Sequence, residues 1–328
     1  MQAFHNEAHG HVLPEGHRFP MAKYRLLREA LGQGLADGGL AGLRLAPSLP
    51  ATPQELVLAH HPAYVAAVHE GSLSPAMQRE IGFPWTPGMA ERARRSVGGT
   101  LQASRAALAE GLAGSLGGGT HHASSDRGGG FCVFNDIAVA ARLMQAEQAA
   151  AGRPPLRVLV IDLDVHQGNG TASIFGGDDS VFTFSMHGAR NFPFRKVASD
   201  LDVELPDDCE DAAYLAALDQ ALAQLDLGHQ AAPFGLIYYQ AGVDVHVADR
   251  LGRLSLSDAG VAERDARVFD WALRRRLPLV LTMGGGYAEP ITTTVRLQRQ
   301  TWGLALQAWQ RWQDELHTAA RGLVDIGG

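Results

Sequence analysis

Four stretches of this chain are apolar almost without interruption, and they run into acids, imidazoles or glycines. They are Val158 to Ile161, Val181 to Met186, Leu236 to Gln240 and Leu279 to Met283. A strand with one wet face alternates polar and apolar residues. Continuous runs instead describe strands covered on both faces, the mark of a parallel sheet between helical layers. Helical patterns fall between them, at Asn135 to Ala150, Asp211 to Leu225 and Ser257 to Arg276. The first stops before Gly-Arg-Pro-Pro, and the last opens on a Ser-Leu-Ser-Asp capping region. The expected fold is therefore α/β, a three-layer α/β/α arrangement around a central, mostly parallel sheet. No repeat, linker or shift of composition divides the chain, so one catalytic domain over residues 1–328 is expected.

Composition removes several classes of function. No apolar stretch approaches the roughly 20 residues that cross a bilayer, so no membrane partner is expected. The opening residues lack a basic start followed by an apolar core, and a cytoplasmic location is expected. Two cysteines, Cys132 and Cys209, cannot build a disulfide framework. With a net charge of −7 and no long basic block, nucleic acid is a poor partner. That acidic balance weakly favours cationic ligands over anionic ones.

The chemistry gathers where the apolar runs end, which is where ligands sit in open parallel sheets. The run at 158 leads into Asp162, Asp164 and His166, and alternate residues of an extended strand share a face. Burying carboxylates and an imidazole there is costly unless they hold a cation or one another. Carboxylate with imidazole suits zinc, and Asp244, after the run at 236, is a candidate third ligand. A shorter stretch from Leu116 to Thr120, read as a further strand whose end joins those of the runs at 158, 236 and 279, leads into the vicinal pair His121 and His122. One histidine of such a pair can take a proton while the other stays charged, with Asp162 and Asn169 as candidate partners that orient them. Tyr287, after three glycines, can reach toward an oxyanion. Cys132 is read as packing, His60-His61 as a surface dipeptide, and Phe4, His5, His9, His11 and His17 mostly as loop residues.

These motifs together resemble the zinc-dependent histone deacetylase superfamily, whose fold is arginase-like. The matching segments are GTHHA (119–123), GGGFCVFND (128–136), DLDVHQGNGT (162–171), FSMH (184–187), AGVDVH (241–246), DRLGRLSLS (249–257) and GGGY (284–287). LPEGHRFPMAKY (13–24) and HHPAYV (60–65) belong to the same pattern. The HQGNG form with DRLGRLSLS is most similar to class IV-like and bacterial members. The resemblance implies zinc on Asp164, His166 and Asp244, with iron(II) an alternative for the same donors. It implies His121 paired with Asp162, His122 as the preferred base, and Tyr287 polarising the amide carbonyl. Gly130, Phe131, Phe192 and Gly285 would line the acyl tunnel, and Arg18 would lie by an inner product channel. A structural potassium ion is implied at Asp162, Asp164, His166, Ser185 and Met186, and a second at Phe175, Asp178 and Val181.

Some members carry aspartate where Asn169 stands, so the neutral partner here should leave His122 harder to protonate. Some weakly active members carry histidine where Tyr287 stands. The implied activity is hydrolysis of an acyl-lysine, or of a related small acylated amine such as an acetylpolyamine. The alternatives are a binuclear arginase-like hydrolase and a non-catalytic acyl-lysine sensor.

Overall fold

The computed structural model describes residues 1–6 and 13–324. In chain order the first elements are β1 (Gln2–His5), α1 (Ala22–Ala36), β2 (Arg44–Pro47), α2 (Pro53–Leu56), α3 (Pro62–Glu70), α4 (Pro75–Ile81), α5 (Pro87–Glu110) and β3 (Leu112–Ser115). Then follow α6 (Asp136–Ala150), β4 (Val158–Asp162), α7 (Asn169–Phe175), β5 (Val181–Gly188) and β6 (Leu201–Leu205). The last are α8 (Asp211–Ala231), β7 (Leu236–Gly242), α9 (Asp258–Arg274), β8 (Leu279–Gly284) and α10 (Ile291–Val324). Among the described residues eight strands form one sheet in the order β2-β1-β3-β8-β7-β4-β5-β6, and every pairing is parallel. Helices cover both faces, giving the three-layer α/β/α fold expected.

The unbroken apolar runs have a direct structural cause. Alternate residues of the central strands feed two different cores. Leu159 and Ile161 of β4 and Ile237 and Tyr239 of β7 join α1, α8, α9 and α10 on one face. Val158, Val160, Leu236 and Tyr238 join α3, α5 and α6 on the other. With both faces dry, the strands stay apolar until their carboxyl ends, where Asp162 and Gln240 are buried.

The helix starts follow local chemistry. Asn135 caps α6, its side chain accepting the Ala138 N–H at 2.9 Å, and Ser257 caps α9 through the Gly260 N–H at 3.1 Å. α8 runs on to Ala231, beyond the expected Leu225.

Three expectations are corrected. Leu116 to Thr120 is not a strand: β3 ends at Ser115, and the Gly119 and Thr120 N–H groups turn to the buried carboxylate of Asp136 instead of a neighbouring strand. Phe4 and His5 belong to β1, an interior strand too short to show a period, whereas His9 and His11 lie outside the described residues. The His60-His61 pair is split. His61 caps α3 at the surface, while His60 is buried, accepts the Asn135 N–H at 2.8 Å, and is pushed down to about 4 by burial.

Because all strands run the same way, the carboxyl ends of β3, β8, β7 and β4 open on one edge. Arg264 of α9, wholly buried, braces that edge from beneath. One of its nitrogens donates to the carbonyls of Leu163 (3.2 Å) and Gly242 (2.5 Å), just past β4 and at the end of β7. Its Nε meets Asp265 Oδ1 at 2.8 Å, and Asp265 also accepts from Tyr239 and Thr301. Removing one partner of a buried ion pair strands the other, at a cost of about 3–5 kcal/mol. Arg264→Met should therefore lower unfolding stability by that order in a denaturant titration; an unchanged midpoint would show the brace to be dispensable.

Candidate metal centre and active site

β4 stops at Asp162. Asp162, Asp164 and His166 are therefore not gathered by strand alternation, as the sequence reading expected, but by a turn. The Asp164 N–H bonds Asp162 Oδ1 at 3.1 Å, and the His166 N–H bonds Asp164 Oδ1 at 2.9 Å. Asp244 arrives from β7 and accepts the Val165 N–H at 3.0 Å. Donor atoms of Asp164, His166 and Asp244 lie within 4.8 Å of one another, the one such group among the described residues.

His166 Nδ1 stands 3.0 Å from Asp164 Oδ1 and 3.2 Å from Asp244 Oδ2. One imidazole N–H serves only one carboxylate well, and buried Asp244 Oδ2 accepts no hydrogen bond. A buried orphan carboxylate oxygen beside two further anionic or imidazole donors fits a divalent cation. The crowding shows in proton affinities. Burial opposes charge on His166, yet the two carboxylates lift it to about 10. Burial and the neighbouring Asp164 push Asp244 up to about 7. Asp164, although burial opposes its charge, is held well below the usual carboxylate range by His121 and His166.

The vicinal histidines sit beside this cluster with ring centroids 4.1 Å apart. His121 Nδ1 meets Asp162 Oδ2 at 2.6 Å, and His122 Nδ1 meets Asn169 Oδ1 at 2.7 Å. Burial alone would neutralise both. For His121 the carboxylates of Asp162 and Asp164 overcome it and raise the imidazole to about 9. For His122 burial is reinforced by the charges of His121 and His166, and its pKa falls well below the usual value. With Nδ1–H donated to Asn169, the Nε2 lone pair of neutral His122 is free. The two rings are thus pushed in opposite directions, His121 toward the imidazolium and His122 toward the neutral form.

Two glycines make this packing possible. A Cβ on Gly168 would stand 2.2 Å from Asp162 Oδ2, and one on Gly285, at φ +60°, 2.2 Å from Asp244 Cγ. Gly285 also accepts a hydrogen bond from Lys23 Nζ at 2.5 Å through its carbonyl. Tyr287 follows, its N–H bonded to Asp249 Oδ2 at 2.7 Å. Burial, then Tyr24 and the carboxylates of Asp244 and Asp164, push the phenol well above its ordinary pKa, so it stays a donor.

Aromatic rings frame the way in. Phe192 packs edge-on against His122 at 5.0 Å, and Phe131 lies 6.2 Å from Tyr287. A Cβ on Gly130 would fall 2.5 Å from His122 Cδ2, so the glycine keeps the passage open beside the imidazole. Phe131, at φ +66°, is held there by its N–H bond to Ile81 and by Phe19 and Phe83. Cys132 is buried and its thiol pKa is raised, as a packing residue's would be.

The family model of the histone deacetylase domain matches residues 17–301. The chain belongs to the histone deacetylase family. It is 45% identical over 280 residues to an uncharacterised protein of Picosynechococcus sp., covering 85% of this chain and 89% of that one. It is 31% identical to histone deacetylase 2 of Arabidopsis thaliana, covering 78% of this chain and 66% of the plant protein. The crystal structure of an HDAC homolog from Aquifex aeolicus shares the fold, with a TM-score of 0.75 at 24% identity over 92% of this chain and 82% of that one. Family, fold and metal-binding triad make the protein a zinc-dependent amidohydrolase acting on acyl-amide bonds.

Within this deacetylase the structure moves one expected residue. Arg18 is exposed and lines the outer mouth; the arginine at the small inner cavity, of about 50 Å³, is Arg92, with buried Lys23. The sequence reading singled out neither, nor Asp249 and Gly168, though Lys23 lies in FPMAKY and Gly168 in HQGNG. The cation at the cluster of Phe175, Asp178 and Val181 is Arg142. It pairs with Asp178 at 2.6 Å and lies over Phe175 at 4.8 Å. Gly168→Ala should push Asp162 off His121 and cut turnover about 10–100-fold with metal content retained. Asp244→Asn should instead strip the metal, read by elemental analysis. Full activity in Gly168→Ala would dissociate the dyad from catalysis.

Proposed function

We propose that this deacetylase hydrolyses acyl-lysine, with His122 as the proton-transferring residue and Tyr287 as the carbonyl donor. The observation that carries this reading is the unlike pair of partners, the Asp162 carboxylate on His121 and the Asn169 amide on His122, both rings against one metal triad. Asp164, His166 and Asp244 would hold the ion. A zinc ion supplies Lewis acidity, polarising an acyl oxygen and making water acidic enough to ionise near neutral pH.

The remaining work falls to the chain's own groups. The free Nε2 of His122 takes the proton of the attacking water and, once charged, is placed to return it to the departing amine. His121 stays protonated and adds positive charge where the oxyanion forms. The Tyr287 hydroxyl donates to that oxygen as it becomes negative. Gly130, Phe131 and Phe192 exclude water around a narrow aliphatic arm, which favours an acyl-lysine-like substrate. A potassium ion beneath the site belongs to the same reading. It is supported by buried Asp162 and Ser185, which face each other in register across β4 and β5, together with Asp164, His166 and Met186. Within the family, the HQGNG form supports a reading of the chain as similar to class IV-like and bacterial members.

Tyr287→Phe should lower kcat about 10²–10³-fold while zinc stays bound, the usual loss for one oxyanion donor. An active Phe variant would remove the tyrosine from the mechanism. Asn169→Asp sets a carboxylate against His122 Nδ1 and stabilises the imidazolium. The acid limb of kcat/KM should therefore move to higher pH, and an unmoved limb would argue against His122 as base.

A further inference from the structure

The aromatic residues open into a recess of about 820 Å³ whose wall, among the described residues, carries five arginines, Arg18, Arg79, Arg190, Arg250 and Arg253, against one acid, Glu80. The chain as a whole has the opposite balance, with 35 acids to 28 lysines and arginines. The five come from four separate segments: the loop before α1, helix α4, the loop after β5 and the loop after β7. No run of basic residues announces them in sequence. Only the fold draws them into a collar.

We infer that this collar selects substrates whose acyl-lysine is flanked by aspartate or glutamate, an inference that rests on the acyl-lysine reading above. The positive charge is only partly cancelled locally. Arg190 and Arg253 share a single carboxylate oxygen of Asp207, at 3.2 and 3.0 Å. Arg250 reaches Glu289 at 2.9 Å, with both side chains more than half exposed. Arg18 and Arg79 have no acidic partner among the described residues. Exposed pairs of this kind stabilise a fold little, so exchanging them for a ligand's carboxylates costs little. The planar guanidinium fork matches carboxylate geometry.

The recess and the reaction centre are one space. His122, His166 and Tyr287 line its floor, so the residues beside a bound acyl-lysine lie within the collar. Its volume falls in the range of about 300–1,000 Å³ that encloses a drug-sized ligand, leaving room for flanking residues. A concave wall suits an inserted peptide better than a flat anionic membrane. Basic tails and polyamines meet like charge there, reversing at the mouth the preference that net charge suggests.

The test uses one acyl-lysine in three matched peptides, flanked by glutamate, by serine and glycine, or by arginine, with the zinc-loaded enzyme. We expect kcat/KM to rise from the arginine to the glutamate peptide by about tenfold or more, chiefly through KM, and the span to shrink with salt. The double variant Arg18→Glu with Arg79→Glu should flatten or invert that order. Equal rates, a preference for the arginine peptide, or an order untouched by the double variant would overturn the proposal. If none of the peptides is cleaved, the acyl-lysine reading fails. The collar is then judged by fluorescence anisotropy of the same peptides, where tighter binding of the glutamate peptide sustains it and no discrimination refutes it. Binding to phosphatidylserine vesicles without discrimination among peptides would point to a membrane instead.

Discussion

Asp162, Asp164 and Asp244 are buried together at a single edge of the sheet, and the surroundings are organised around that charge. Burying one carboxylate without a partner is expensive; burying three demands cations or donors at each. His121 takes Asp162, and His166 faces the other two. Backbone N–H groups of Asp164, Val165 and His166 supply further bonds. What stays unmet is Asp244 Oδ2, which is where the fit to a divalent ion is clearest. Below, Arg264 ties the carbonyls that follow β4 and end β7, so the two ligand-bearing segments cannot drift apart.

The same charge divides the labour of the two histidines. Adjacent in sequence, they would titrate alike in water. In the protein, the carboxylates around His121 raise its proton affinity, while burial and the neighbouring imidazoles lower that of His122. The proposed roles of His122 as acceptor and His121 as fixed positive charge rest on that difference.

From centre to mouth the sign of the surroundings changes. The inner cluster is anionic and calls for a cation; the outer recess is lined by arginines. Phe131, Phe192 and Gly130 line the same recess as the arginines and as His122, His166 and Tyr287 at the centre. Charge averaged over the chain describes neither zone.

The central strands, the metal triad, the histidine partners and the tyrosine were all legible in sequence. Burial on both faces, and the cost of placing acids at strand ends, leave marks on local residue order. Sequence also determined the family, because DLDVHQGNGT, GTHHA and GGGY each keep their chemistry within a few consecutive residues. Where the period was short or the contact distant, the reading ran out. β1 spans four residues, too few to show a pattern, and the turn that gathers Asp164 and His166 was mistaken for strand alternation. His60 was placed at the surface because its partner, the Asn135 N–H, is far away in sequence. Arg18 at the mouth, Lys23 and Arg92 within, Arg142 on Asp178 and the arginine collar were settled by tertiary structure alone. Sequence records what each segment must bury, but which charges meet across loops depends on how the parallel strands align their carboxyl ends on one edge.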